Sequence, residues 1–259
     1  MDESLSMHVQ PTLRDAPMVL AFEGWNDAGE AASSAARFIN ESICSVPLAE
    51  IDAEEFLDFT VQRPTVRTDP VTGRIIEWPS LQFQYGSLDS SRELVVGVGV
   101  EPHLRWRRFT RVIAELVENL GIRQVVLLGA YVAEVVYSLP VGVSGLSTRP
   151  ELLDELNVNP SPYQGPTGIV GVLAEHLSRA GIEVTSLWAG LPNYINVSPN
   201  PRGALALVQK LTSHLSIKID EEPLRREAAS YEQRISELVS ADPELTEYVR
   251  ELKRREFAQ

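Results

Sequence analysis

Four carboxylates stand close behind apolar runs of the sequence, where the fold could bring them into one crevice. Glu23 and Asp27 follow a first apolar run, Glu101 follows a second and Glu134 a third. Two carboxyl groups in one crevice can act as an acid and a base, as in glycosidic bond cleavage. Asp27 has a competing role, because it also stands where a helix is predicted to begin and would serve as its N-cap. Both a catalytic and a structural role therefore stay open for these carboxylates.

Other polar residues are expected to line the same crevice, because they also follow predicted strands or precede a predicted helix. In open α/β sheets, ligands bind beyond the carboxyl ends of the strands, where the loops diverge. The helix predicted from Thr167 also points free backbone N–H groups at this edge, where they could hold an anion. The alternative is that the Gly, Pro and Asn residues of these loops only form tight turns or a subunit contact. The candidate binding residues are Asn26, Asp27, Glu101, Tyr163, Thr167, Asn193 and Tyr194.

Familiar catalytic and cofactor motifs are missing from the sequence. Ser144 and Ser147 lie in GVSGLS, which lacks the Gly-x-Ser-x-Gly spacing of a nucleophile elbow. The segment GVGVEP lacks the third glycine of a dinucleotide fingerprint, and GPTGIVG lacks the Lys-Ser/Thr end of a phosphate loop. The histidines are scattered, with no His-x-x-x-His or Cys-x-x-Cys pair. We therefore predict no catalytic residue, no cofactor and no metal.

Composition limits the partners and the location of the protein. The 259 residues carry a formal net charge of -13, which repels phosphate backbones and anionic lipid headgroups. We expect neither nucleic acid nor a membrane as partner, and no apolar run approaches the roughly 20 residues of a membrane-spanning helix. Cys44 is the single cysteine, so no internal disulfide is expected. The first residues, MDESLSMHVQ, lack the basic and apolar regions of an export signal, which predicts a cytoplasmic protein.

Apolar runs alternate with helical patterns along most of the chain. Runs such as ELVVGVGV predict buried strands, and this alternation predicts an α/β fold with a mostly parallel sheet and helices on both faces. Residues 51–86 interrupt the alternation with short strands around an Asp-Pro-Val-Thr-Gly turn, which predicts a β insertion. From Asp220 the chain changes to charged helix formers with a break at Ala241-Asp242-Pro243. We therefore predict an α/β domain over 1–219 and a helical hairpin over 220–259.

Two apolar surfaces of the predicted fold need a partner. The hairpin has an apolar side but is too short to hold a core of its own. The long segment from 131 to 165 concentrates apolar residues that a monomer would normally cover. These residues are Leu224, Tyr231, Ile235 and Leu238 in the hairpin and Val135, Val136, Tyr137, Leu139 and Val141 in the segment. We expect a homo-oligomer, with three subunits as the expected number; alternatively, the hairpin folds back over the segment within one chain.

Several segments in a fixed order resemble those of one family. They run from FEGWNDAGEAAS through GVEPHLRWRRF, VVLLGAYVAEV, SLPVGVSG and YQGPTGIVGVL to SLWAGLPNYINVSPNPRGALALV, and cover roughly residues 19–215. They resemble the proteasome-assembly-chaperone family, specifically the bacterial and archaeal relatives of its second eukaryotic member. The resemblance implies a phosphorylase/hydrolase-like fold, association with itself or with other proteins as assembly clients, and a chaperone or scaffold role without catalytic residues. The alternative is a small-molecule enzyme of nucleoside hydrolase or phosphorylase type that uses the strand-end crevice.

One departure from the family concerns the C-terminal residues. Proteasome-docking members carry a hydrophobic-Tyr-x tail that inserts between ring subunits. Here the sequence is Phe257-Ala258-Gln259, in which Phe257 takes the hydrophobic place and Ala258 replaces the tyrosine. We therefore do not carry docking through this tail over to the chain.

Overall fold

The computed structural model describes residues 2–88 and 92–258. Strands and helices alternate along the central part of the chain, as the apolar patterns predicted. The strands are β1 (Leu5–Met7), β2 (Met18–Glu23), β3 (Val46–Asp52), β4 (Thr65–Asp69), β5 (Gly73–Glu77), β6 (Ser80–Ser87), β7 (Glu93–Val100), β8 (Gln124–Ala133), β9 (Val143–Ser147), β10 (Asn159–Pro160) and β11 (Glu183–Pro192). The helices are α1 (Ala31–Ser42), α2 (Trp106–Asn119), α3 (Pro150–Glu155), α4 (Ile169–Arg179), α5 (Pro201–Leu215), α6 (Glu222–Ala241) and α7 (Pro243–Glu256).

One large sheet organises the described residues, with its nine strands in the order β1-β3-β6-β7-β2-β8-β11-β9-β10. The central strands β7, β2, β8 and β11 run parallel to one another. They are apolar and almost continuously buried, as expected for parallel strands covered on both faces. Towards the flanks, β3, β6 and β9 pair antiparallel with their inner neighbours. The four parallel strands end on the same side of the sheet, which we call the carboxyl edge.

Helices cover both faces of the central strands, which confirms the predicted α/β architecture. α1 and α5 pack on one face, over a core that includes Val19 and Leu128. α2 and α4 pack on the opposite face, over a core that includes Leu20 and Leu127. Consecutive residues of one strand enter different cores because strand side chains alternate between the two faces.

The segment 51–86 is divided between the main sheet and a separate hairpin. β6 pairs with both β3 and β7, so it is an integral strand of the large sheet. Leu81 and Phe83 fix its register, because both are buried in the core beneath α2. Residues 53–79 leave the sheet and carry the antiparallel β4–β5 pair, closed by the predicted turn.

The C-terminal helices form the predicted hairpin and pack on their own chain. Asp242 caps α7 by accepting two backbone N–H groups over 2.9 and 3.1 Å. Tyr231 and Ile235 of α6 share a third core with Val136 from the segment after β8. The hairpin thus folds back over that segment within one chain, although Leu238 stays 53% exposed. The helices within residues 2–88 and 92–258 include none with both the length and the apolar composition needed to cross a membrane.

Candidate binding site at the carboxyl edge

A buried asparagine and a glutamate close the centre of the carboxyl edge. Asn26 follows β2 and has no exposed surface, and Glu101 follows β7. The Asn26 Nδ2 amide donates to Glu101 Oε1 over 2.7 Å. The same oxygen accepts the backbone N–H of Ile169, the first residue of α4, also over 2.7 Å. Glu101 therefore places a carboxylate on the positive end of α4, where an external anion would otherwise bind.

Two glycines make room for this network, for different reasons. Gly24 has a φ of 110°, a backbone conformation that favours glycine, and it turns the chain from β2 towards Asn26. Gly168 has an ordinary extended backbone, but a Cβ at this position would lie 2.2 Å from Asn26 Oδ1. The backbone oxygen of Asn26 accepts the N–H of Ala130 over 2.8 Å, which ties the turn to β8. The turn after β2, strand β8 and the residue before α4 therefore all pack against the network.

Asp27 serves helix α1 rather than this network. Its Oδ1 accepts the N–H groups of Ala32 over 2.7 Å and Ser33 over 3.2 Å, as an N-terminal cap does. α1 begins at Ala31 and not at Asp27 as expected, because a short 3-10 turn over Ala28–Glu30 comes first. Burial raises the pKa of Asp27 above its ordinary value of 3.8, although hydrogen bonds from Ser33 and Ala32 act in the opposite direction.

Asp27 and Glu101 each contact the start of a helix, which favours the structural role over the catalytic role considered from the sequence. Asp27 Oδ2 is buried and has no hydrogen-bond partner among the described residues. Asp27 Oδ1 is occupied by α1, and Glu101 Oε1 is occupied by Asn26 and α4. Each carboxylate therefore stabilises the start of a different helix.

Thr167 and Tyr163 lie in the segment that leads into α4 and border the network. Thr167 Oγ1 packs against Gly171, where an added Cβ would lie 2.1 Å from it. Tyr163 is 61% exposed, and its hydroxyl donates to the backbone oxygen of Pro166 over 2.8 Å. Among the described hydrogen bonds, neither side chain reaches Asn26 or Glu101.

Asn193 and Tyr194 follow β11 at the far end of the carboxyl edge, where Asn193 is exposed and Tyr194 packs beneath the C-terminal hairpin. The Asn193 N–H donates to the last residue of β8 over 3.0 Å. The Tyr194 hydroxyl donates to the Val135 carbonyl over 3.0 Å and accepts the Tyr137 N–H over 2.9 Å. Its ring packs edge-on against Tyr248 of α7, with the ring centres 5.3 Å apart. The candidate residues thus divide into a group near Asn26 and a pair after β11, of which only Tyr194 contacts the hairpin, and they do not share one hydrogen-bond network.

Apolar side chains at the strand ends are the feature that sequence reasoning missed. Trp25 follows β2, Leu104 follows β7 and Val132 lies at the end of β8; they are 62%, 49% and 61% exposed. We call these three residues the edge patch. Trp25 in the turn FEGWND could have indicated these exposed residues from the sequence, because a turn has no local need for tryptophan. Exposed apolar residues are typical of protein contact surfaces when they form a contiguous patch.

An open groove lies beside the network, on the face of the sheet that carries α1, and its lining includes Glu23 and Val100, the last residues of β2 and β7. It has a volume of ≈ 480 Å³ and is lined by residues of β6, α1 and the β4–β5 hairpin, including the ion pair of Glu23 with Arg37. None of the seven candidate residues lines it. In the part of the chain that the structure describes, no three His, Cys, Asp or Glu side chains are grouped to hold a metal ion.

The sheet order, the helix layers and the C-terminal hairpin define a mixed α/β protein in which Glu101 occupies the start of α4 at the carboxyl edge. The chain belongs to the PAC2 family, whose sequence model matches residues 21–239. This match confirms the resemblance noted from the ordered sequence segments. No protein with a curated description matches the chain.

Solved structures are similar to the chain over nearly its whole length. A PAC2 family protein from Streptomyces avermitilis is 38% identical with a TM-score of 0.84, covering 91% of this chain and 100% of that one. A proteasome-assembly chaperone homologue from Mycobacterium tuberculosis is 35% identical with a TM-score of 0.82, covering 90% and 99%. A second Mycobacterium tuberculosis protein, of unknown function, is 25% identical with a TM-score of 0.89, covering 100% and 92%.

Proposed function

We propose that the protein is a non-catalytic, chaperone-like binding protein that holds a protein partner at the carboxyl edge and associates with itself. The observation that carries this proposal is the internal occupation of the α4 N-terminus. Glu101 Oε1 accepts both the Ile169 N–H and the Asn26 amide, and Asn26 has no exposed surface. An enzyme of nucleoside hydrolase or phosphorylase type needs an accessible polar pocket for its substrate, usually at this position of an α/β sheet. Here the chain itself occupies the α4 N-terminus, where an anionic group of such a substrate would bind.

The surface around the closed network has the chemistry of a protein contact. Trp25 and Val132 of the edge patch each expose more than half of their side-chain surface, at 62% and 61%. Tryptophan supplies much of the binding energy in protein interfaces when a partner buries it. A folded or assembling protein therefore fits this edge better than a small polar ligand does.

The relatives indicate which partner to test first. A relative with 35% identity is a proteasome-assembly chaperone homologue, so proteasome core subunits are the first candidate clients. Phe257 is 77% exposed and accessible to a partner. The proposed contact uses the edge patch, because its apolar side chains are exposed where the parallel strands end.

Two measurements test the proposal. In a thermal-shift screen against nucleosides, nucleotides and phosphate, we expect no change in melting temperature; a site filled at 100 times its Kd would add about 2.7 kcal/mol of stability. In a binding measurement with purified proteasome core subunits, we expect a complex that Trp25→Ala weakens at least tenfold. Leu238→Ala, at a 53% exposed position on α6, is the matched control and should leave the affinity unchanged. A concentration-dependent ligand shift, or equal binding by Trp25→Ala and the control, would contradict the proposal.

A further inference from the structure

Two aromatic rings lie across the strands of the main sheet, on the face that carries α4. Trp188 of β11 is paired with Gly129 of β8, where an added Cβ would lie 2.4 Å from the indole ring. Tyr131 of β8 is paired with Gly190 of β11, where an added Cβ would lie 3.2 Å from the Tyr131 hydroxyl. Each ring therefore rests over a glycine of the neighbouring strand and lies low on the sheet.

The next strand, β9, extends this surface. Ser144 is paired with Trp188, and Leu146 with Ser186, so both point to the same face as the indole ring. The Tyr131 hydroxyl lies 3.5 Å from Ser144 Oγ. We call Tyr131, Ser144, Leu146 and Trp188 the aromatic platform.

The helix layer on this face stops short of the platform. α4 packs on β2, β8 and β11, whereas the helix that follows β9, α3, contributes Leu152 and Leu153 to the core on the opposite face. As a result Leu146 is 57% exposed and Tyr131 is 41% exposed. Sheet faces with large apolar side chains are normally covered by another layer.

The platform is also electrically neutral in a strongly acidic chain. No Asp, Glu, Lys or Arg occurs in 124–133, 135–148 or 184–201, the stretches that supply the platform; Glu134, Arg149 and Glu183 adjoin them, and Arg149 pairs with Glu183. The segment 156–174 is uncharged as well, and it borders β9 because the Ser161 N–H donates to the Gly145 carbonyl over 2.8 Å. With a net charge of -13, two copies of the chain repel each other over most approaches.

We propose that the aromatic platform is the surface through which a second copy of this chain packs against the first. A second copy fits because approach over this neutral face avoids the repulsion between two acidic chains. Interfaces between identical subunits are more apolar than other surfaces, and Trp and Tyr residues commonly dominate their binding energy. The inference rests on the self-association in the proposed function and assigns residues to it.

The test compares charges placed on and away from the platform in the full chain. Leu146→Glu and Tyr131→Glu put a carboxylate on exposed platform positions, and Val71→Glu puts the same charge on a position that is 92% exposed in the β4–β5 turn. Molar mass is measured by light scattering from about 1 to 100 µM, with melting temperature and circular dichroism as checks of folding. We expect a multiple of 28.7 kDa for the wild type. Both platform variants should raise the dissociation constant at least tenfold, and Val71→Glu should not.

The experiment separates a failure of the platform assignment from a failure of self-association. If the wild type associates and both folded platform variants associate equally well, the platform is not the interface, and self-association itself still stands. If the wild type stays at 28.7 kDa over the whole range, self-association fails and the platform assignment fails with it. If one platform variant does not fold, the other carries the comparison with Val71→Glu.

Discussion

Glu101 is the residue at which the closed carboxyl edge can be tested most directly. Its Oε1 accepts two hydrogen bonds of 2.7 Å, from Asn26 Nδ2 and from the Ile169 N–H. A hydrogen bond to a charged group contributes about 1.5–3 kcal/mol, so losing both should cost about 3–6 kcal/mol. Glu101→Ala would also leave the amide of Asn26, which has no exposed surface, without a partner on either atom, because Asn26 Oδ1 already has none.

Glu101→Gln is the more informative variant, because it keeps an acceptor oxygen and removes only the charge. Neutral hydrogen bonds are roughly half as strong as charge-assisted ones, which predicts a loss of about 1.5–3 kcal/mol. Glu134→Gln is a matched control, since Glu134 also follows a parallel strand but is 65% exposed and lies 4.0 Å from Arg255. An exposed pair of this kind contributes about 0–1 kcal/mol.

The assay is equilibrium urea unfolding at pH 7, followed by circular dichroism and tryptophan fluorescence. We expect the free energy of unfolding to fall in the order Glu134→Gln, Glu101→Gln, Glu101→Ala, with unchanged slopes against urea. In Glu101→Ala the α4 N-terminus is vacated, so added sulfate should recover more stability than it adds to the wild type. Equal losses for the two glutamine variants would refute the role assigned to Glu101.

Three further predictions concern the neighbouring residues. Gly168→Val should destabilise the protein by several kcal/mol because its Cβ would lie 2.2 Å from Asn26 Oδ1, and an unchanged melting temperature would contradict this. Burial raises the pKa of Asp27, so the protonated form of Asp27 stabilises the folded chain. This stabilisation is complete below about pH 3.8 and is lost as the pH rises through the folded-state pKa. Asp27→Asn should therefore equal or exceed the wild type in stability at pH 7, whereas Asp27→Ala loses the cap of α1 and about 1 kcal/mol; unfolding at pH 4 and pH 7 checks the difference. Tyr194→Phe removes the hydrogen bonds to Val135 and Tyr137 and should lower the free energy of unfolding by about 1–2 kcal/mol, measurable by the same urea titration.

Local patterns predicted the parallel strands and the long helices of this fold, but not β3 or the elements β9, α3 and β10 inside the segment 131–165. Apolar runs identified the parallel strands, and the break at Asp242 located the turn between α6 and α7. Asp27 was correctly expected to cap a helix, although the cap reaches Ala32 and Ser33 across a 3-10 turn. These features are readable because periodicity and capping depend on residues within one or two turns of each other.

At Gly168 the reason for a glycine is visible only in the folded chain. A helix start rich in glycine and proline suggests a need for backbone freedom, yet the Gly168 backbone is an ordinary extended one. The constraint comes from the side chain of Asn26, which a sequence pattern around Gly168 does not reveal. Steric demands of this kind depend on packing between distant segments.

Tertiary structure alone decided which residues share a site. Asn26 and Glu101 are 75 positions apart and meet because β2 and β7 are parallel neighbours that end at the same edge. Tyr194 was expected in the same crevice, but the C-terminal hairpin covers it. Likewise, the platform exists because the register of β8 and β11 sets each ring opposite a glycine. Strand order and register follow from packing over the whole sheet. The sequence by itself therefore determined the parallel strands and the long helices, while the folded chain determined which of their residues meet.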